Sequence, residues 1–402
     1  MAGKDSTDAE GAFRRHVLYI PGYDPFPPRR YRELYRTEGA AQAAISGYEL
    51  SIAPRTGETY GWKVAARIEG RPTEAEVEVL VWSDLVQASM TRGIIGTYGQ
   101  LLRTAWLYLA SGALRRLIRL RKGPMIAALY PAVALALQAL VALLAGAAVL
   151  WLTWGAPWGL GWALAAALVW AVLEGFRRID HRLYAYYLMH DYAFTTIKGG
   201  AYPAVLEARL AAFRGRVRAA LASGVDEVLL VGHSSGVHLG VSVLADLIRE
   251  GLPAGPALGF LSLGQAVPMV SFLPGAGRLR GDLAYLSQRD ELTWVDVTAP
   301  GDGCSFALCD PVAVSGVAPE GQRWPLILSA AFTQTLSPER WEALRRQFFR
   351  LHFQYLCAFD RPGDYDYFRI TAGPLTLAER YRERKPSASR IATPLSPFRD
   401  VA

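Results

Sequence analysis

Cysteine is scarce in this chain: 402 residues contain only three, Cys304, Cys309 and Cys357. An odd and sparse set argues against a framework of disulfides and is typical of a reducing compartment. Cys304 and Cys309 lie close together, but no second pair of cysteines follows that would complete a zinc site. We therefore interpret all three as structural thiols, and we expect neither a metal nor a cofactor.

Charged residues and histidine are absent from positions 123–173, a run of 51 residues. One membrane-spanning helix needs about 20 apolar residues, so the run predicts a transmembrane helical hairpin with spans near 126–151 and 159–173. The break at 154–158 contains tryptophans, which are typical of a membrane–water boundary, and Pro131 is expected to kink the first span. The alternative is a buried helical hairpin of a soluble protein, but a globular core rarely contains so long an uncharged run.

Basic residues flank both ends of this run, whereas the connecting loop carries no charge. They are Arg115, Arg116, Arg119, Arg121 and Lys122 on one side and Arg177, Arg178 and Arg182 on the other. By the positive-inside rule both flanks are cytoplasmic. We therefore expect a multi-pass protein of the cell (inner) membrane with both termini and its folded domain on the cytoplasmic side. Residues 1–15 are polar, so we expect no secretory signal peptide there.

The sequence also lacks any basic-aromatic nucleic-acid motif, although its net charge is +7 and its mean hydropathy is +0.14. Arginine beside apolar runs suits anionic lipid better than nucleic acid. The expected partner is therefore the lipid bilayer, and no nucleic-acid partner is expected. The basic amphipathic stretch 101–120 either packs on the folded domain or lies in the membrane interface, and the sequence leaves both open.

A serine between two glycines follows an apolar strand in the second half. Residues 228–231 (Val-Leu-Leu-Val) predict a strand buried on both faces, and after Gly236 apolar residues recur with helical spacing. The turn Gly232-His233-Ser234-Ser235-Gly236 therefore has the form Gly-x-Ser-x-Gly between a strand and a helix. This is the pattern of a nucleophile elbow, which exposes the serine hydroxyl at the carboxyl edge of a sheet. The alternative is a glycine-rich turn that packs tightly or holds a phosphate.

The rest of the chain predicts an α/β protein. Strands are expected at 17–20, 48–53, 60–68, 76–82, 257–263, 292–297 and 324–329, and helices at 29–45, 182–194, 204–222, 278–288 and 338–356. The expected divisions are a disordered N-terminus (1–15), a first α/β part (16–100), an amphipathic basic helix (101–122), the hairpin (123–174), a second α/β part with the elbow (175–381) and a flexible tail (382–402).

In this setting the elbow resembles that of the α/β-hydrolase family of lipases and esterases, over roughly residues 17–86 and 204–360. The resemblance implies a mostly parallel sheet flanked by helices, here interrupted by the hairpin. It further implies a Ser, an acid and a His, in that chain order, at the carboxyl edge of the sheet. The family usually has two strands before the one corresponding to 17–20. The predicted strand pair 48–68 is a candidate for that place, and the strand order stays open.

The resemblance also implies an oxyanion hole made of two backbone N–H groups. Ser235, the residue after the nucleophile, supplies the first. Tyr23, in the Pro21-Gly22-Tyr23 loop after the first strand, is the candidate for the second, with Gly22 allowing close approach. Such donors contribute about 3–4 kcal/mol each when they face a developing alkoxide. The alternative for residues 21–25 is an ordinary turn.

For the acid, Asp302 has the family's position, in the glycine-rich loop after the strand at 292–297; Asp296 and Asp310 are alternatives, and any single Asp in such a loop can simply form a turn. For the base, His352 is the only one of six histidines that follows Asp302 in the sequence. Ser234, Asp302 and His352 are therefore the candidate triad. His352 lies in a predicted helix, whereas the family's histidine lies on a loop, so a histidine on a helix face is the competing interpretation.

Two functions follow from these observations. The first is a membrane-anchored serine hydrolase that cleaves an ester or thioester, with a small-molecule ester or lipid as substrate, through an acyl-enzyme. The second is a non-catalytic membrane protein that uses a degenerate hydrolase domain as a binding or scaffolding module. A transporter or channel is disfavoured, because two spans without an ionisable residue offer no polar path.

Overall fold

One eight-stranded sheet forms the centre of the computed structural model, which describes residues 11–57, 59–90, 93–154 and 159–401. Its strands are β1 (Phe13–Ile20), β2 (Glu49–Pro54), β3 (Gly61–Ile68), β4 (Arg71–Val79), β5 (Glu227–His233), β6 (Ala257–Leu263), β7 (Thr293–Thr298) and β8 (Leu326–Ser329). The predicted strands are therefore present. The strand predicted at 76–82 begins earlier, at Arg71, because a tight turn at Glu69 and Gly70, both with positive φ, pairs β4 with β3.

The strand order is β2-β3-β4-β1-β5-β6-β7-β8. Strand β1 pairs in parallel with β4 on one side and β5 on the other, and β5 to β8 continue in parallel. Strands β2 and β3 are antiparallel additions next to β4. The sheet is thus mostly parallel, and the β2–β3 hairpin fills the edge beside β4.

Helices flank this sheet. They are α1 (Arg29–Ser46), α2 (Ser83–Ser89), α3 (Ile94–Ala110), α4 (Ala113–Leu120), α5 (Lys122–Leu152), α6 (Leu160–Arg178), α7 (Asp180–Leu183), α8 (Ala185–Thr196), α9 (Ala204–Leu221), α10 (Gly236–Arg249), α11 (Val267–Ser271), α12 (Gly277–Leu286), α13 (Pro311–Val314), α14 (Phe332–Thr335), α15 (Pro338–Leu344), α16 (Phe348–His352), α17 (Tyr367–Ala372) and α18 (Leu377–Arg380), with a 3₁₀ turn at Phe353–Leu356.

Alternation along the central strands builds a core on each face of the sheet. Val17 and Tyr19 of β1 pack into one apolar cluster, whereas Leu18 and Ile20 pack into the other. Strand β5 divides its four apolar residues in the same way. Because successive side chains of a strand point to opposite faces, a continuous apolar run must be covered on both. The expectation of a doubly buried strand before the elbow is confirmed.

The long uncharged run forms two antiparallel helices, α5 and α6, which are inserted between β4 and β5. Both are long and apolar enough to cross a membrane, and most of their surface is exposed. They touch closely at Gly146, where a Cβ would lie 2.7 Å from Val169 Cγ2. Helix α5 continues through Pro131. Of the predicted break at 154–158, residues 155–158 lie outside the described part of the chain.

Several predicted helices are divided. The stretch 101–120 belongs to α3 and α4, which are separated by Gly112 with φ +71°. The region 338–356 forms α15, α16 and the 3₁₀ turn, because Gln347 adopts a non-helical backbone with φ −100° and ψ 71°. His352 is therefore the last residue of a short helix instead of lying inside a long one. Tyr184, with φ +56°, likewise separates α7 from α8.

The basic amphipathic stretch packs on the folded domain along one face. In α4, Leu117 and Leu120 are buried against the domain. In α3, Tyr108 is buried, whereas Trp106 and Leu109 are 73% and 62% exposed. The predicted placement in the membrane interface stays a prediction.

The C-terminal segment, predicted to be a flexible tail, packs on the domain in this structure. Ile391 pairs with Cys309 in a short β-bridge. The buried Arg280 guanidinium donates to the Asp400 carboxylate at 2.7 Å. The low hydrophobicity of this segment gave no sign of these contacts, because they are made by single residues and not by an apolar face.

We predict that Gly236→Ala destabilises the folded chain, because the added Cβ would lie 2.3 Å from the Ile20 carbonyl oxygen. Overpacking of this kind costs about 1–3 kcal/mol or more. Gly215→Ala is the matched control: it lies inside α9 with no atom within 4 Å of a new Cβ, so it should stabilise by up to about 1 kcal/mol. Chemical denaturation of the full chain measures both changes, and equal effects of the two substitutions would contradict the steric account.

Candidate active site

Ser234 occupies a strained corner between β5 and α10. Its φ is +55°, a left-handed conformation that non-glycine residues rarely adopt. A Cβ at Gly232 would lie 2.9 Å from Val237 Cα, and one at Gly236 would lie 2.3 Å from the Ile20 carbonyl oxygen. Both glycines of the motif are therefore required by space. Ser234 itself stays partly exposed, as a nucleophile must.

The loop after β1 packs directly on this corner. A Cβ at Gly22 would lie 3.0 Å from Ser234 Cβ and 3.5 Å from its Oγ, so the backbone passes as close as a glycine permits. The Trp82 indole holds the loop by donating to the Pro21 carbonyl at 2.9 Å. The Tyr187 hydroxyl of α8 donates to the Tyr23 carbonyl. The loop is thus fixed against Ser234 from two sides.

The two candidate oxyanion donors are available. Within the described residues, neither the Tyr23 N–H nor the Ser235 N–H donates a hydrogen bond to a protein acceptor. Buried N–H groups are almost always paired, so two amides that have no acceptor and lie beside one serine can donate to an anionic oxygen. Tyr23 is buried, and Ser235 is the partly buried residue that precedes α10.

Asp302 and His352 form a direct hydrogen bond. His352 Nδ1 lies 2.7 Å from Asp302 Oδ2, and both side chains are buried. Asp302 also accepts from the Cys304 N–H at 2.9 Å and from the Tyr355 hydroxyl at 3.0 Å. A neutral histidine that donates through Nδ1 to a carboxylate has no proton on Nε2, which can then accept one. The structure therefore brings together the predicted acid and the predicted base.

The ring of His352 lies close to the serine corner. Gly264, with φ +54°, would place a Cβ 3.0 Å from His352 Cε1, and the preceding Leu263 carbonyl accepts the Ser234 N–H at 2.9 Å. His352 Nε2 is buried and has no hydrogen-bond partner among the described residues. An unpaired acceptor beside a partly exposed serine hydroxyl suits a base that awaits a proton.

The electrostatics of the pair favour a charged Asp302. Burial by itself raises the pKa of this carboxyl. The charge of His352, its hydrogen bond and the Cys304 N–H lower the pKa by more than burial raises it, so the pKa of Asp302 lies below the usual value. A carboxylate that stays ionised can stabilise a protonated imidazole. The neighbouring His233 remains neutral, since burial and the charge of His352 lower its pKa to about 3.

Asp302, Cys304 and His352 are also near enough to one another to share a metal ion, with one donor atom from each within 4.8 Å. Two observations argue against a metal ion at these three residues. Burial raises the pKa of the Cys304 thiol well above its usual value, whereas a metal binds the thiolate. The Asp302–His352 hydrogen bond also already pairs one donor atom of each of these two residues. The set fits a hydrogen-bonded pair better than a metal centre.

The alternative acids and the other histidines lie elsewhere. Asp296 is buried in β7, where it accepts from the Ser262 hydroxyl at 2.5 Å and burial raises its pKa to about 8. Asp310 caps α13 through the N–H groups of Val312 and Ala313. Among the histidines, His16 lies beside Glu78, His190 beside Gln100, and His238 beside Tyr202, while His181 is exposed.

Three residues of the site escaped the sequence reasoning. Tyr355 holds Asp302, and its three-residue spacing from His352 could have suggested a shared helical turn. His233 supports the base, since its Nε2 lies 3.0 Å from the His352 carbonyl oxygen. Asp191 of α8 lies near enough for the charge of His352 to lower its pKa, and no sequence signal connected it with the elbow.

We predict that Tyr355→Phe destabilises the chain by about 1–3 kcal/mol, because the buried Asp302 carboxylate and the Ala299 N–H both lose a partner. Tyr19→Phe is the control: its hydroxyl is buried without a partner among the described residues, so its removal should be neutral or stabilising. Thermal or urea unfolding distinguishes the two, and equal losses would contradict the assigned bonds.

Comparison with protein-family models, curated proteins and solved structures finds no match in any of the three.

Proposed function

We propose that this chain is a serine hydrolase of the esterase or lipase type, which cleaves a carboxylic ester or thioester. The observation that carries the proposal is the convergence of Ser234 on a strained corner, the Asp302–His352 hydrogen bond and two unpaired amides around one point. These parts come from four separated regions of the chain. A glycine-rich turn that only packs tightly would need none of the other three.

The α/β-hydrolase resemblance gains support from the sheet. In that family two further strands usually precede the strand that carries the oxyanion loop. Here the β2–β3 hairpin lies at the corresponding edge, beside β4, although it follows β1 in the sequence. The sheet therefore has two further strands beyond β4, as the family has, but in this chain they follow β1 in the sequence instead of preceding it.

The chemistry follows from the placement of these groups. His352 Nε2 accepts the proton of Ser234 as its Oγ attacks the acyl carbonyl carbon. The Tyr23 and Ser235 N–H groups receive the developing alkoxide. Protonated His352, stabilised by the Asp302 carboxylate, returns its proton to the leaving alcohol or thiol, and an acyl-Ser234 ester remains. Water activated by His352 then releases the acid and restores the serine.

The inserted helices α5 and α6 support a membrane anchor. Their apolar side chains are largely exposed, and charged residues lie only at the far ends of the pair. Because a helical hairpin returns the chain to its starting side, β4 and β5 can join one sheet. The basic flanks favour the cytoplasmic side for this sheet. We propose the cell membrane as the location and an ester or acyl lipid as a substrate class.

A non-catalytic binding module is the second candidate, and one observation favours it. The hydrogen bond between Ser234 and His352 Nε2 is not formed in the described part of the chain. In unliganded enzymes such bonds are often long and tighten only in the substrate complex, so this observation does not remove the first candidate. The labelling experiment below separates the two.

We predict that a fluorophosphonate probe labels the wild-type chain at Ser234. Ser234→Ala should abolish labelling. His352→Ala should slow labelling by several orders of magnitude, since removal of a triad residue lowers the reaction rate about 10⁴-fold. Ser51→Ala and His181→Ala, at exposed positions, are matched controls and should label at the wild-type rate. Equal labelling of all variants would sink the triad as assigned, and absence of labelling in every chain would favour the binding module.

We predict that the full chain stays with membranes after alkaline carbonate extraction. Replacing Leu137, Leu140 and Leu144 of α5, which are 56%, 51% and 61% exposed, by Arg should release it, because each Arg at the centre of a span costs about 2.5–3.5 kcal/mol. The matched triple Ala variant should remain in the membrane fraction. Recovery of the wild-type chain in the soluble fraction would contradict the anchor.

A further inference from the structure

A small cavity, with room for one or two water-sized groups, lies beside the candidate oxyanion donors Tyr23 and Ser235. Four aromatic rings, one carboxyl and one histidine are prominent in its wall: Tyr23, Trp82, Phe194, Tyr202, Asp191 and His238. Because Tyr23 and Ser235 belong to both the cavity and the oxyanion site, a group bound in the cavity is near the reacting carbonyl.

Among the described residues, Asp191 is the only carboxyl in this wall, and it has no role in the proposed triad or oxyanion hole. Among the described residues no donor lies within hydrogen-bond distance of its carboxyl, which is neither fully exposed nor fully covered. Burial raises the pKa of Asp191, the charge of His352 offsets only part of this increase, and the resulting pKa is about 7. A desolvated carboxyl without a donor is costly, and its free face points to a missing partner.

The other lining groups make a cation the fitting partner. No Lys or Arg lines the wall in the part of the chain that the structure describes. His238 is neutral, since burial lowers its pKa to about 3, and its Nδ1 lies 3.0 Å from the Tyr202 hydroxyl. The faces of Trp, Tyr and Phe rings attract cations. A lone carboxylate among aromatic rings therefore favours a small ammonium group over an anion or a purely apolar chain.

We infer that this cavity binds an ammonium group of the substrate and that Asp191 is its counter-ion. The inference rests on the proposed hydrolase function and narrows its substrate class. The substrate is an ester or thioester that carries an ammonium group a few bonds from the scissile carbonyl. That group belongs either to the acyl part, as in an amino-acyl ester, or to the leaving group, as in an amino-alcohol or amino-thiol ester.

Binding is tested without turnover, in the Ser234→Ala chain. Ethylammonium is the probe and ethanol its neutral match, and both are titrated by ligand-observed NMR. We expect ethylammonium to bind, ethanol to bind much more weakly, and Asp191→Asn to weaken ethylammonium about tenfold or more, as for a hydrogen bond between charged groups. Asp84→Asn, at an exposed carboxylate bonded to Arg209, is the control and should leave binding unchanged.

The pH dependence of the same titration adds a second readout. Titratable groups around Asp191 come from α3, α8, the Tyr23 loop, the 299–305 loop and α16: Tyr108, Tyr187, Tyr192, Tyr23, Cys304 and His352. Burial raises the pKa of the tyrosines and of Cys304, so neither the tyrosines nor Cys304 becomes charged between pH 5.5 and 8. Ethylammonium should therefore bind more tightly as the pH rises through about 7, where Asp191 ionises, and Asp191→Asn should remove that change.

Two pairs of thioesters identify which part of the substrate carries the cation. Propionyl and 3-aminopropionyl thioesters of one thiol vary the acyl side. Propionyl thioesters of 2-(dimethylamino)ethanethiol and of its isosteric hydrocarbon 3-methylbutane-1-thiol vary the leaving group. We expect one pair to show a KM about tenfold lower for the cationic member, and Asp191→Asn to bring the ratio of the two KM values close to one.

The outcomes are distinct from those of the hydrolase proposal. Asp191-dependent ammonium binding without any turnover would support the cavity and contradict the hydrolase. Turnover without an ammonium preference in either pair would overturn the cavity assignment. Equal ethylammonium binding by the Ser234→Ala chain with and without Asp191→Asn would also overturn it. If Asp191→Asn unfolds, Asp191→Ser provides the same loss of charge in a smaller side chain, and its melting temperature reports that it has folded.

Discussion

The close approach of Gly236 to the end of β1 is the constraint on which the candidate site depends. The space that a Cβ would fill is occupied by the Ile20 and Pro21 carbonyl oxygens, at 2.3 and 2.7 Å. This contact presses the β1 loop onto the elbow, so that Gly22 touches Ser234. The same contact brings the loop that carries Tyr23 next to the turn that carries Ser235. The strain of the Ser234 backbone is tolerated because β5, which pairs with β1 and β6, holds one side of the turn and α10 holds the other.

The helices between β4 and β5 include the exposed apolar pair α5–α6 and also α8, which contacts the candidate active site. Helix α8 follows the apolar pair α5–α6 and returns the chain to the domain. Its Tyr187 bonds the Tyr23 carbonyl and packs at 6.1 Å, ring to ring, on Phe349 of α16. Asp191 lies on the same helix. The segment that follows the proposed anchor therefore bridges the oxyanion loop and the helix that bears the base.

Much of this arrangement was accessible from the sequence, and the reason is local. The elbow combines an apolar run with two glycines, a pattern with few competing structures, and the strands and the apolar helix pair follow from short-range periodicity. The mostly parallel sheet and the position of Asp302 were expected from the family resemblance, and His352 is the only one of six histidines that follows Asp302. Their hydrogen bond agrees with that assignment, although activity remains a proposal.

The rest could not be read in this way because it depends on contacts between distant segments. Tyr355 acts through Asp302, 53 positions away, and Asp191 faces the site only because a whole inserted helix pair precedes it. The breaks at Gln347 and Gly112 occur within sequences of good helix formers. The bonds of Arg280 with Asp400 join single residues, which leave no periodic pattern.

The central claim is that Ser234 carries the acyl group during the reaction. Intact-protein and peptide mass spectrometry after rapid acid quenching of the full chain with a short-chain acyl thioester tests it most directly. The account predicts a mass increase equal to one acyl group on the peptide that contains Ser234, and none in the Ser234→Ala chain. An acyl group on Cys304 or another residue instead, or no covalent species while thioester is consumed, would contradict it.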